Sequence, residues 1–180
     1  MNPIYIPNYI KNVTIEDIIN EVSWIQVTDA RLESFQSFST ETYTYGSGKG
    51  VRTYTPGPYT KTVLSIQNIL NGDDFNYNVC FLNRYNNAKM QLNWHADDSA
   101  GMDHNHPISV MSFGQEREIW VRKNGHSGVV PKEDRYLLGH GSLFIMPAGF
   151  QLTNQHRIPK GDREMRTRVS LTYRHYVPVA

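Results

Sequence analysis

The 180-residue sequence is short of the features that would tie or anchor it: it has one cysteine, charged residues at only 19 %, and no apolar run approaching a membrane span. A lone Cys80 excludes a disulfide framework, and its setting in Val79-Cys80-Phe81-Leu82 reads as a buried thiol. The opening Met1-Asn2-Pro3 lacks a basic patch followed by an apolar segment, so no leader is expected. These absences predict a soluble, intracellular monomer, cytoplasmic or, in a eukaryote, nuclear, with no membrane partner. Aromatic residues, by contrast, make up 12 % of the chain and include eleven tyrosines, which suits a folded, strand-rich protein better than a disordered one. The length is that of one domain able to bury a core without staples.

The formal net charge of +1 conceals an uneven spread. Residues 1–45 set Lys11 and Arg31 against six acids, whereas residues 156–176 set Arg157, Lys160, Arg163, Arg166, Arg168 and Arg174 against Asp162 and Glu164. The basic end is either an ordinary solvated face or a place for an anionic ligand or phosphates.

Ile15, Ile18, Ile19 and Val22 recur at helical spacing behind a Thr14 cap, which predicts a helix at about 14–23. A short strand follows at Trp24 to Val27. Residues 28–60 then set Tyr43, Tyr45, Tyr54 and Tyr59 among Gly46, Gly48, Gly50, Pro56 and Pro58, a composition that predicts a long binding loop or lid. A second helix is expected from about Thr60 to Leu70, stopped by Gly72. From residue 76 onward, short apolar segments separated by glycine or polar turns predict strands at Asn78 to Tyr85, around His95, and at Ile108 to Phe113, Glu118 to Arg122, Leu143 to Met146 and Arg168 to Tyr173. Together they suggest an antiparallel sandwich or jelly roll with the amino-terminal helices against one sheet.

The stretch Leu92-Asn93-Trp94-His95-Ala96-Asp97-Asp98 sets an imidazole and a carboxylate two residues apart. On an extended segment both turn to one face. With seven histidines and nine aspartates, such a pair is expected about 0.35 times by chance, so alone it is weak. His156, beyond an apolar segment, is the candidate third ligand. Two histidines and one carboxylate suit ferrous iron with open positions. In Arg168-Val169-Ser170-Leu171-Thr172-Tyr173-Arg174, positions 168, 170, 172 and 174 share a face. That face is either the polar outside of a surface strand or an anion pocket inside a barrel. Asn83 and Tyr85 also share a face and can hydrogen-bond a carboxylate or keto oxygen. His104 and His106 read as exposed turn residues, although a His-x-His pair can take adventitious metal. His126 reads as a turn residue and His140 as a structural hydrogen-bonding one.

These residues occur in the order of a known pattern. Asn83-Arg84-Tyr85, His95-Ala96-Asp97-Asp98, Pro107 to Gly114 with Glu116-Arg117, His140-Gly141-Ser142 with Leu143 to Met146, His156-Arg157-Ile158-Pro159 and Arg168 to Arg174 together resemble the AlkB-type Fe(II)- and 2-oxoglutarate-dependent dioxygenases, most of all their branch that repairs alkylated bases in DNA. The resemblance covers roughly residues 78–175, and Tyr45-Gly46 and Thr53-Tyr54-Thr55 look like the family's substrate lids. It implies an α+β fold with a double-stranded β-helix (jelly-roll, cupin-like) core at 76–176, and 1–75 supplying N-terminal helices and lid loops. His95, Asp97 and His156 match the iron ligands and catalytic centre. Arg168 matches the arginine that pairs with 2-oxoglutarate, Asn83, Tyr85, Ser170 and Thr172 lie with it on the co-substrate side, and Arg174 matches a second arginine there. Fe(II), 2-oxoglutarate and O2 are the implied cofactors. Oxidative removal of a methyl group as formaldehyde, with succinate and CO2, is the implied reaction on N1-methyladenine or N3-methylcytosine. The implied partner is DNA or RNA, single-stranded or with a flipped base. Tyr43, Tyr45, Tyr54, Asp98 and Ser99 are the expected substrate contacts.

Two positions depart from the pattern. Ser170 stands where the family commonly has asparagine. Ser99 stands where the repair enzymes have an acid, and the neighbouring Asp98 points to the opposite strand face. Two other functions are therefore kept: a 2-oxoglutarate-dependent hydroxylase of an unmodified base, protein side chain or small molecule, and a non-catalytic jelly-roll binding module.

Overall fold

A computed structural model describes residues 2–45 and 51–177, with only the backbone of Tyr45. The expected glycines at 46, 48 and 50 lie outside the described residues. The elements in order are β1 (Ile4–Ile6), α1 (Ile15–Glu21), β2 (Ile25–Thr28), β3 (Arg31–Ser37), β4 (Tyr43–Tyr45), β5 (Arg52–Tyr54), α2 (Lys61–Gly72), β6 (Val79–Tyr85), β7 (Leu92–His95), β8 (Ile108–Gly114), β9 (Arg117–Lys123), a 3-10 turn (Lys132–Asp134), β10 (Arg135–Leu138), β11 (Ser142–Met146), α3 (Phe150–Thr153), β12 (Asn154–Ile158) and β13 (Arg168–Arg174). A seven-stranded sheet runs β1-β11-β8-β13-β6-β3-β2, a four-stranded sheet runs β10-β9-β12-β7, and β4 and β5 form a hairpin. The sheet pairings are antiparallel throughout. This mostly antiparallel architecture with few helices is consistent with a jelly-roll core.

α1 starts where the side chain of Thr14 accepts from Asp17 N–H and the carboxylate of Asp17 accepts from Thr14 N–H, a reciprocal cap. Its Ile18 joins Val63, Ile66 and Leu70 of α2 in one apolar cluster with Val169, Leu171 and Tyr173 of β13, and the Tyr173 hydroxyl donates to the Val63 carbonyl at 2.7 Å. The opposite face of the large sheet contributes Val79, Phe81, Tyr85 and Val110 to a second cluster with Ile119, Val121 and Ile158 of the small sheet. Strand alternation thus divides β13: its apolar side chains face the helices and its polar ones face the space between the sheets. Cys80 is fully buried as expected, and burial pushes its thiol up.

Two boundaries differ from expectation. Residues 28–60 are not one irregular lid, because β3 within them pairs with β6 from Leu32↔Arg84 to Ser37↔Val79. Its strand pattern is disguised by the buried Glu33, which is neutralised by Arg31 at 2.7 Å and Arg52 at 3.1 Å and accepts from the Tyr54 hydroxyl. The core sheet also does not begin at residue 76, since β1, β2 and β3 belong to it.

Leu171 is fully buried at the centre of the large sheet, whereas Leu137 is 51 % exposed. Leu171→Ala is expected to cost about 2–5 kcal/mol and Leu137→Ala within about 0.5 kcal/mol in denaturant unfolding.

Candidate functional site

His95 ends β7 and pairs directly with His156 of β12, so the two imidazoles face each other with ring centroids 4.2 Å apart. Asp97 lies two residues past His95. The Gln151 side chain, on the short helix leading into β12, accepts from Asp97 N–H at 2.9 Å. One segment, α3–β12, therefore positions both His156 and Asp97. The nearest oxygens of Asp97 are 3.5 Å from His95 Nε2 and 4.0 Å from His156 Nε2, and the three donor atoms lie within 4.8 Å of one another. His95 Nδ1 sits 2.7 Å from the carbonyl of Asn93. That contact assigns the proton to Nδ1 and leaves Nε2 as a lone-pair donor toward Asp97. Two neutral imidazoles and a carboxylate, converging, fit Fe(II).

Electrostatics keep the set ready. Burial opposes charge on Asp97, but Arg174 at 2.9 Å, with His95 and His156 behind it, outweighs burial and holds the carboxyl well below its usual range. Burial lowers His156 to about 3, so this imidazole is neutral and able to ligate.

Beside the triad lies the inner face of β13. All seven of its residues are buried, and Arg168 is opposite Tyr85, Ser170 opposite Asn83 and Thr172 opposite Phe81. Of the two readings left open for this strand, the polar outside of a surface strand is excluded, because that face is interior. Arg168 Nη2 donates to Ser112 Oγ at 2.8 Å, while its Nε and Nη1, and the hydroxyl of Tyr85, are buried with no hydrogen-bond partner among the described residues. Burial lowers this guanidinium to about 10. A buried cation with unfilled donors beside a buried hydroxyl is a place for an anion's oxygens, so the residues fit a dicarboxylate. Asn83 is already engaged, its Oδ1 accepting from Arg31 Nε at 3.0 Å.

The expected substrate residues fare differently. Tyr43 is only 1 % exposed, tucked between Phe35 and Tyr176, and bonded through its hydroxyl to Ser99 Oγ at 2.7 Å. Its ring presents no open face for a base in this arrangement, contrary to the stacking role expected of it. Tyr54 packs edge-on against Phe81, the Tyr45 side chain lies outside the described residues, and Asp98 is exposed. The basic end also divides, since Arg168 and Arg174 are buried in the site while Lys160, Arg163 and Arg166 are exposed beside Asp162 and Glu164. His140 is structural as expected, accepting from Gly114 N–H and donating to the Val13 carbonyl.

Sequence reasoning missed Gln151, and also Arg117, whose buried guanidinium donates to the carbonyls of Asn87, Met90 and Pro159 and packs over Tyr85. Gln151 was marked only as a polar residue between Phe150 and Leu152, and Arg117, among Glu116 and Glu118, only by its place in the family pattern.

Between about pH 6.5, the ordinary imidazole value, and about 3, the folded value of His156, the unfolded chain takes up a proton here that the folded chain does not. Metal-free stability is therefore expected to fall with pH across that window. His156→Gln flattens that part of the profile in chemical unfolding followed against pH.

A family model for the 2OG-Fe(II) oxygenase superfamily matches residues 4–174. The chain is 31 % identical over 181 aligned residues to human alpha-ketoglutarate-dependent dioxygenase alkB homolog 3, covering 91 % of this chain and 61 % of that protein. It is 34 % identical over 137 residues to the DNA oxidative demethylase ALKBH2 of Arabidopsis thaliana, covering 65 % and 43 %. It thus spans about three fifths of the first relative and under half of the second. The solved structure of OsALKBH1 has the same fold, with a TM-score of 0.60 at 14 % identity over 96 % of this chain and 97 % of that one. Among the described residues no helix is long and apolar enough to cross a membrane. The chain belongs to the 2OG-Fe(II) oxygenase superfamily and, within it, to the AlkB type.

Proposed function

We propose that the chain is an Fe(II)- and 2-oxoglutarate-dependent oxidative demethylase of N-alkylated nucleobases, such as N1-methyladenine and N3-methylcytosine, in DNA or RNA. The observation that carries this reading is the adjacency of a His-Asp-His set to a buried arginine, Arg168, with unfilled donors. The names of the relatives, an alkB homologue and a DNA oxidative demethylase, point the same way. In this reading the chain is one double-stranded β-helix domain with amino-terminal helices behind the large sheet.

His95, Asp97 and His156 would hold Fe(II), which with 2-oxoglutarate and O2 supplies the oxidising chemistry. The net reaction turns an N-methyl group, O2 and 2-oxoglutarate into N–H, formaldehyde, succinate and CO2. Arg168 and Tyr85 grip a carboxylate of the co-substrate by charge-assisted hydrogen bonds, while Ser170 and Thr172 line the floor between them and Arg174. Arg174 fixes the orientation of Asp97 and keeps it ionised. The neutral His156 offers a lone pair without losing a proton first. The walls of Phe81, Tyr85 and Phe35 exclude water from the reacting groups.

The base is brought to this interior from a single strand or by flipping. On the small sheet's outer face Arg122 lies 4.1 Å over Trp94, and Arg157 lies near both Trp94 and Trp120, an arrangement suited to phosphate and base contacts. One observation favours a second reading, hydroxylation of another substrate: Ser99 is uncharged and its hydroxyl is engaged by Tyr43, so the position acidic in the repair enzymes offers no carboxylate.

Purified protein with Fe(II), ascorbate and 2-oxoglutarate is expected to release formaldehyde from N1-methyladenine or N3-methylcytosine oligonucleotides, one per succinate, and His95→Ala to release none. Succinate without formaldehyde across the panel sinks the demethylase reading and leaves the hydroxylase.

A further inference from the structure

His106, which the sequence pattern leaves in an exposed turn, has two close partners. Asp103 and His106 lie in the loop between β7 and β8, and His175 follows β13. Asp103 Oδ2 is 2.9 Å from His106 Nδ1 and 3.2 Å from His175 Nδ1, and the two ring nitrogens are themselves 3.2 Å apart. The three atoms outline a nearly equilateral triangle. Ligands placed tetrahedrally at ordinary zinc bond lengths of about 2.0–2.2 Å stand roughly 3.3 Å apart, so the triangle is close to one face of such a shell. The corresponding separations at the His95, Asp97 and His156 set are wider, at 3.5 and 4.0 Å.

Hydrogen bonding alone accounts for this cluster less well. Asp103 Oδ2 can accept from both imidazoles, which turns two N–H groups side by side, or one N–H can be shared between Oδ2 and the other ring's nitrogen, which sets that nitrogen's lone pair against the carboxylate oxygen; neither pattern satisfies all three close approaches. A cation satisfies three lone pairs at once, with both rings neutral. The carboxylate is held in place for it: the Asn105 N–H donates to Oδ1 at 3.0 Å, which leaves Oδ2 for the cluster. The side chains keep between 19 and 30 % exposure, enough for an ion to enter and for water to take a fourth position.

We propose that Asp103, His106 and His175 form a second metal site, for a borderline divalent ion of the zinc class. Two imidazoles and one carboxylate favour zinc, nickel or copper over calcium and magnesium, which take oxygen ligands. The site joins two distant pieces of chain. Asp103 N–H donates to the His175 carbonyl at 3.2 Å, Val177 N–H donates to the Gly101 carbonyl at 2.7 Å, and Met102 bridges Tyr176. The ion staples this loop to the end of the strand that carries Arg174. The same loop carries Ser99, whose partner Tyr43 packs on Tyr176 with centroids 4.6 Å apart. Occupancy therefore stiffens the covering over the first site while standing independent of what that site oxidises.

The test is equilibrium dialysis of metal-free protein against zinc, with bound metal counted per chain and thermal melting followed in parallel. Two ions are expected in the wild-type protein, one in each of His106→Gln, His175→Gln and His95→Gln, and none in the His95→Gln/His175→Gln double variant. Zinc is expected to raise the melting temperature of His95→Gln and not that of the double variant. A wild-type count of zero, or any saturating count that is unchanged in both His106→Gln and His175→Gln, overturns the proposal. The substituted side chains are partly exposed, and melting in chelator verifies that each variant is folded.

Discussion

The ion pair between Asp97 and Arg174 is the constraint on which the rest of the site depends. Asp97 comes from the end of the small sheet and Arg174 from the centre of the large one, and both are buried where the sheets meet, 2.9 Å apart. Burying either charge alone costs several kcal/mol, and breaking such a pair by removing one partner costs roughly 3–5 kcal/mol. The pair therefore fixes how β7 approaches β13. That approach sets His95 and His156 on one side of the carboxylate and the inner face of β13 on the other.

The two faces of β13 divide the work of the fold. Val169, Leu171 and Tyr173 supply the apolar contact that holds the helices to the large sheet. Arg168, Ser170, Thr172 and Arg174 occupy positions that an optimally stable sandwich would fill with apolar side chains. Leaving Arg168 and Tyr85 with buried, unfilled donors is destabilising in the free protein, and such local cost is characteristic of sites shaped for a ligand. The same strand runs on into His175, so metal set, anion clamp and second cluster lie along one continuous stretch of chain.

What was legible in the sequence followed from short-range periodicity. The His95-x-Asp97 spacing put both ligands on one face, and the alternation of β13 separated its polar and apolar sides correctly. Whether that polar side faced water or the interior was not legible, because a surface strand and a lined pocket share one pattern and only burial tells them apart. β3 was missed because Glu33 breaks its apolar alternation, and of the cations that neutralise it Arg31 is itself a charged residue of the same strand and Arg52 lies in the next hairpin. His175 was missed as a partner of Asp103 and His106 because 72 and 69 residues separate them, a proximity created by the return of β13. The stacking expectation for Tyr43 failed for a similar reason: composition reports an aromatic loop but not that Phe35 and Tyr176 enclose the ring. His156 was a candidate third ligand from its place beyond an apolar segment, the AlkB resemblance matched it, and the β7–β12 register supplies the physical basis.

The central claim is that the triad and the β13 clamp act on one small dicarboxylate together. Calorimetric titration of 2-oxoglutarate into oxygen-free protein, with and without Fe(II), tests it most directly. The account predicts binding at least tenfold tighter with the metal, about 1.4 kcal/mol, and a comparable or larger loss in Arg168→Met. Equal affinity with and without Fe(II), or binding indifferent to Arg168→Met, would contradict it.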